Sequence, residues 1–164
     1  MRGIADQRAI VAIDPTSEGL AWVYFEGGRL RDWRRSEAAT GEIALLGRIL
    51  EETGARVLVL EDATAPGARR CARVAALLDE LARQARGQRL SVRLVARAAV
   101  RDGWRARGVR NKQQMAAAIA NDFPELRSHV PPHRKNSMNE DSRVNIFDAL
   151  SLLLHAFPAR IIVR

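Results

Sequence analysis

The chain has 164 residues, 47% of them hydrophobic and 28% charged, which suits one globular domain and excludes a fibre or a disordered tail. Lys and Arg number 27 against 19 Asp and Glu, a formal charge of +8, so an anionic partner such as nucleic acid is expected. The plain alternative is an Arg-rich proteome, since Arg greatly outnumbers Lys. The only cysteine, Cys71, excludes an internal disulfide and fits a reducing compartment. It stands among alanines on an expected helix and reads as a small core residue. No apolar run approaches the ~18 residues of a membrane span, and Met1 to Gln7 lacks a signal-peptide core. The expectation is a soluble, cytoplasmic protein with no membrane contact.

In chain order, Arg8 to Ile13 is a short apolar, β-branched run that reads as a buried strand ending at Asp14-Pro15. Leu20 to Glu26 is a second strand, Gly27-Gly28 a two-residue hairpin turn, and Arg29 to Arg35 a more polar, edge-like return strand. A helix follows over Gly41 to Thr53, with Thr40 as N-cap, Gly54 as stop, and Ile43, Leu46, Ile49 and Leu50 on one face. Arg56 to Leu60 is a buried strand ending at Glu61-Asp62. Ala68 to Arg86 is a long helix with Val74, Leu77, Leu78 and Leu81 inward, and Leu90 to Ala96 a fifth strand. Gly103 to Arg110 reads as a basic loop, Lys112 to Asp122 as a helix stopped by Pro124, and Val130 to Asn139 as a loop. Ser142 to Phe157 is the last helix. The order β-β-β-α-β-α-β-α-α implies an α/β fold. An antiparallel meander leads into parallel strands in a mixed five-stranded sheet flanked by helices, in one domain over residues 1–164.

Three carboxylates stand in apolar surroundings. Asp14 ends IVAI, Glu61 ends VLVL, and Asp148 lies within IFDALSLLLHAF. A charge placed there costs several kcal/mol unless it is paired or binds metal. The two apolar strands should be central, parallel and adjacent, and ligands of such sheets bind beyond the strands' carboxyl ends. Asp14 and Glu61 lie at that end, and Asp148 completes the set if its helix packs there. Oxygen-only clusters suit Mg²⁺ or Mn²⁺. Taken singly, Asp14 also reads as a turn residue before Pro15, Glu61 or Asp62 as a turn cap, and Asp148 as the partner of an arginine.

At these residues the sequence resembles the RuvC-type Holliday-junction resolvases of the ribonuclease-H-like superfamily. The matching pieces are IVAIDPTSEGLAWVYFEGGRL, VLVLEDA and NIFDALSLLLHAF, in the same order. The resemblance implies a ribonuclease-H-like fold and a Mg²⁺- or Mn²⁺-dependent endonuclease acting on branched DNA in recombination and repair, working as a homodimer. It implies Asp14, Glu61 and Asp148 as catalytic metal ligands. It also implies basic residues after the fifth strand at the scissile phosphate, where Lys112 matches one position and Arg101 falls near another. Relatives usually carry a second Asp three residues before the last. Here that residue is Asn145. Asp141, seven before Asp148, either substitutes as a ligand or caps the helix, and Glu140 is a weaker candidate.

From Arg101 to Lys135 eight basic residues (Arg101, Arg105, Arg107, Arg110, Lys112, Arg127, Arg134 and Lys135) face three acids. With Trp104 for stacking, this segment reads as a backbone-binding surface made of Arg101, Trp104, Arg105, Arg107, Arg110, Lys112, Arg134 and Lys135. Trp104 alternatively anchors a loop. His129, His133 and His155 lack a zinc spacing. The first two are placed to touch substrate from a loop, and His155 reads as a helix histidine near the site. Three alternatives stay open: a non-catalytic nucleic-acid binder with a weakened site, as Asn145 suggests, a nuclease acting on RNA or RNA–DNA hybrids, and a purely structural interaction domain that binds no metal.

Overall fold

The computed structural model describes residues 9–17, 19–36, 41–132 and 143–158. Five strands form one sheet: β1 Ile10–Pro15, β2 Leu20–Glu26, β3 Arg29–Arg35, β4 Val57–Glu61 and β5 Ser91–Val95. Their order across it is β3-β2-β1-β4-β5. The first three are antiparallel, whereas β1–β4 and β4–β5 run parallel. This is the mixed sheet expected from the sequence. Gly27 and Gly28 both adopt positive φ (58° and 74°), as a two-residue hairpin turn matching the strand twist requires. β1 and β4 are buried throughout because helices cover both faces of the sheet.

The two faces follow from the two-residue period of a strand. Val11, Ile13, Leu20, Trp22, Leu58 and Leu60 point to one face. There they meet α1 (Glu42–Thr53) and α2 (Ala72–Gly87) through Leu46, Ile49, Val74, Leu78 and Leu81. Ile10, Ala12, Ala21, Val23, Phe25, Val57 and Val59 point to the other. That face packs on α3 (Arg97–Ala106), α4 (Lys112–Asp122) and α5 (Val144–Ala156). α5 lies against this face between α3 and α4. Nearly every one of its residues from Val144 to Leu153 is buried, which explains a sequence apolar all round.

Several sequence expectations need correction. β1 continues through Asp14 and Pro15, because Asp14 and Pro15 still pair with Ala21 and Leu20 of β2. The first half of the expected basic loop, Gly103 to Ala106, is the end of α3. Val100 and Trp104, four residues apart, bury one stripe of a helix whose other face is charged. A 3₁₀ turn, Pro124–His129, follows α4, its proline fitting the first turn. α2 begins at Ala72, so Cys71 sits before it with extended backbone and is exposed, not a core residue. α1 is preceded by Gly41 in the left-handed region, and the expected cap Thr40 lies outside the described residues. Gly54 does end α1, at φ 61° and donating to the Leu50 carbonyl. Asn111 caps α4, its side chain accepting from the Gln114 amide and so fixing where Lys112 emerges. Among the described residues no helix is long and apolar enough to cross a membrane.

Phe147, adjacent to Asp148 and fully buried, ties α5 to the sheet. Phe147→Ala should cost about 3–5 kcal/mol through the cavity it leaves, read as a lowered midpoint in urea unfolding. A change below about 1 kcal/mol would contradict this packing.

Candidate functional site

Period and register bring the acids together. Asp14 follows Ile10 and Ala12 on β1, and Glu61 follows Val57 and Val59 on β4, so both face α5. β1 and β4 are in parallel register, Ala12 beside Val59. Two residues further along each strand stand Asp14 and Glu61. α5 carries Asp148 onto the same spot. All three residues are 2–3% exposed. Asp62, by contrast, turns outward and accepts hydrogen bonds from the amide and hydroxyl of Thr64, the turn role open to it from the sequence.

The carboxylates meet on two guanidinium groups. Arg97, the first residue of α3, donates Nη2 to Asp14 Oδ1 at 2.8 Å and to Glu61 Oε2 at 3.1 Å, and Nη1 to Asp148 Oδ1 at 3.2 Å. Arg70, in the segment between β4 and α2, donates Nη2 to Asp14 Oδ1 at 2.6 Å and Nε to Glu61 Oε2 at 2.7 Å. The second oxygen of Asp148 accepts from Lys112 Nζ at 3.0 Å. Three acids and three bases therefore form one mutually neutralising cluster at the carboxyl ends of β1 and β4.

The electrostatics show what the cations hold in check. Burial, then the charge of Asp148, push the Asp14 carboxyl up to about 6 despite Arg97 and Arg70. Burial also acts to raise Glu61, but Arg97 and Arg70 outweigh it and hold that carboxyl below its usual range. Burial opposes the charged form of Arg97. Asp14, Asp148 and Glu61 overrule it and hold the guanidinium proton more tightly than usual.

Beside Asp148 a cavity of about 210 Å³ opens between α3 and α4. Val100, Trp104, Val109 and Met115 are its apolar walls, and Arg97, Arg101, Arg105, Arg110 and Lys112 its cationic ones. The structure thus gathers Arg101, Arg105, Arg110 and Lys112 from the expected basic surface. Trp104 belongs to a helix rather than a loop and is 8% exposed. It is anchored in the core, so broad stacking on it is closed off. Arg107 lies outside the cavity lining, its guanidinium 4.7 Å from the Trp104 ring centroid. His129 packs edge-on against Trp33, at 6.0 Å between centroids, and His155 lines a different hollow with Arg93 to Ala96. Neither adjoins the acids. Arg134, Lys135, His133, Glu140 and Asp141 lie outside the described residues. Asn145 is half-buried one turn before Asp148.

Arg97 and Arg70 were not anticipated from the sequence. Arg97 had a usable signal: it follows β5 at the same end of the sheet as Asp14 and Glu61. Arg70 had none, lying in an aperiodic Gly- and Pro-containing stretch.

Does this centre suit a divalent metal ion? Its donors are three buried carboxylates, the oxygen-only set that hard cations take, and three of their oxygens converge on one guanidinium. The donor chemistry fits. Among the described residues, however, no group of three His, Cys, Asp or Glu is arranged to hold a metal ion as it stands, and the two arginines bond the oxygens of Asp14 and Glu61.

Comparison with solved structures gives the same class of fold. Thermus thermophilus RuvC aligns over 93% of this chain and 95% of its own, with a TM-score of 0.59 at 16% identity. A T. thermophilus RuvC in complex with a Holliday junction substrate aligns over the same shares, with a TM-score of 0.58 at 18% identity. The yeast mitochondrial Holliday junction resolvase Ydc2 aligns over 91% of this chain and 77% of its own, with a TM-score of 0.58 at 11% identity. No family model matches the chain, and no curated protein does. The fold is thus the ribonuclease-H-like one that these solved structures share.

Asp14→Asn replaces a carboxylate that burial disfavours by a neutral side chain of the same shape. With its folded-state carboxyl raised from 3.8 to about 6, Asp14 contributes stability below pH 3.8 that is lost as pH rises through 6. The substitution should therefore favour the fold more at neutral pH than at about pH 4, the gain shrinking as pH falls through the folded-state value. Chemical unfolding at both pH values checks this, and an equal effect at the two would refute it.

Proposed function

We propose that this chain is a metal-dependent endonuclease that hydrolyses phosphodiester bonds in branched DNA. The observation that carries the reading is the convergence of Asp14, Glu61 and Asp148 at the carboxyl ends of β1 and β4, buried and beside a cation-walled cavity. Such a buried anionic centre flanked by phosphate-binding cations is costly for a purely structural domain. Mg²⁺ or Mn²⁺ held by these three carboxylates would activate water and neutralise charge at the phosphate. Lys112, projecting from the start of α4, holds Asp148 and is the nearest described cation outside the two arginines. Arg101, Arg105 and Arg110 give the backbone further contacts, which supply affinity rather than sequence choice. The resolvase-like architecture favours a four-way junction as substrate, and paired cuts on it call for a homodimer. Asp141 is the further candidate ligand, and Arg134 and Lys135 further backbone contacts. We place the protein in the cytoplasm.

One observation favours a second reading. Arg97 and Arg70 already neutralise the acids, as a non-catalytic junction binder would require. Cleavage decides between them. With Mn²⁺ the wild type should nick a four-way junction in preference to matched duplex and RNA–DNA hybrid. Asp14→Asn and Asp148→Asn should each lose at least about 100-fold in rate while keeping DNA affinity within about threefold. Tight junction binding with no cutting under any divalent ion would support the binder. Faster cutting of the hybrid would reassign the substrate.

Replacing Lys112 by Ala uncovers one oxygen of Asp148 and removes a backbone contact. Single-turnover cutting should fall about 10- to 100-fold, with a smaller loss of DNA affinity. Unchanged cutting would remove Lys112 from the site.

A further inference from the structure

The acidic centre carries its own cations, and they use the oxygens that an incoming ion would need. Asp14 Oδ1 and Glu61 Oε2 each accept from both Arg97 and Arg70, at 2.6–3.1 Å, and Arg97 also reaches Asp148 Oδ1. A divalent ion bonds carboxylate oxygens at about 2.0–2.6 Å. It cannot take that point while a guanidinium fork spans it. The arginines are nevertheless not sealed in. Each side chain keeps 24% of its surface exposed, against 2–5% for the three acids. Arg97 also lines the cavity beside Asp148, together with Arg101 and Lys112. A phosphodiester arriving there offers two oxygens to a guanidinium, the geometry arginine binds best.

Resting on the nuclease reading above, we propose that Arg97 and Arg70 are tethered counter-cations that compete with the divalent ion for the same carboxylate oxygens, and that substrate phosphate draws them off so that metal and DNA bind cooperatively. The exchange keeps the charge of the buried centre compensated throughout. Without DNA, two guanidiniums cover the acids. With DNA, the phosphate takes the guanidiniums and the ion takes the acids. The positioning role belongs foremost to Arg97, which alone spans all three carboxylates. It also explains why side chains at both β4-α2 and β5-α3 lean into one cluster instead of extending into solvent.

The test is Mn²⁺ binding by the full chain, followed by the electron paramagnetic resonance of free Mn²⁺. It compares wild type, Arg97→Lys, Arg97→Gln and Arg70→Gln, alone and with a phosphorothioate four-way junction, the junction's own uptake being subtracted. Circular dichroism selects the folded variants, and Arg70→Gln serves if Arg97→Gln does not fold. Without DNA, a Gln variant should bind Mn²⁺ about tenfold more tightly than wild type, with Arg97→Lys between them. The junction should tighten Mn²⁺ binding to the wild type by a similar factor and to Arg97→Gln far less. Equal Mn²⁺ affinity in wild type and Gln variants overturns the exchange while leaving the metal site standing. Absence of Mn²⁺ binding in every protein, with or without the junction, overturns the metal reading beneath it.

Discussion

A carboxylate withdrawn from water must find a cation, and this structure gathers three such carboxylates at one point. Placed singly in the apolar interior, each would be forced to protonate or to open the fold. Gathered together they also repel one another, as the upward push of Asp148 on Asp14 records. Two guanidiniums and one ammonium answer both problems. The two guanidiniums each bridge more than one acid, while Lys112 holds Asp148 alone, so removing either arginine leaves more than one carboxylate short of a partner. The charge balance is therefore a property of six residues drawn from β1, β4, the β4-α2 segment, α3, α4 and α5. It joins the ends of those elements, as the two apolar cores join their middles.

The sheet delivers this arrangement by parity. On β1 and β4 alternate residues serve the two cores, and the last residue facing α5 on each strand is an acid instead of an aliphatic. Nothing further is needed to bring Asp14 beside Glu61 than the parallel register. α5 is more constrained. Its residues from Ile146 to Leu153 are all buried, so Asp148 cannot swing away without unpacking Phe147, Leu150 and Leu152. A helix that is itself the core holds its one acid with the rigidity of the core. Solved structures at 11–18% identity share this fold, so it does not depend on one particular set of core side chains.

Much of this was legible in the sequence because hydrophobic period carries it. The meander, the Gly27-Gly28 turn, the burial of β1 and β4 and the anomaly of an acid within NIFDALSLLLHAF are local patterns. What escaped was decided by packing between distant segments. The end of α3 from Gly103 reads as a loop because the helix's apolar stripe is thin, two residues among arginines, and its partner α5 is distant in the chain. Trp104, open in the sequence between stacking on substrate and anchoring a loop, is an anchor, but of a helix in the core. Cys71 reads as interior from its alanine neighbours, but α2 begins one residue later and leaves it exposed. Arg97 and Arg70 are the most instructive. In an Arg-rich chain one more arginine carries no signal, and its significance lies in which carboxylates it faces, which depends on the sheet order.

The arginines also change what kind of centre this is. A cluster of three carboxylates alone would present a concentrated negative charge to a polyanion and repel it. Compensated by Arg70, Arg97 and Lys112, the same cluster adds no net charge, and the excess of Arg101, Arg105 and Arg110 sets the sign of the field at the cavity mouth. A nucleic-acid backbone can therefore approach carboxylates that would otherwise turn it away. On the proposed reading, the guanidiniums that neutralise the acids are also shaped to hold a phosphate, so neutralisation and recognition would share side chains.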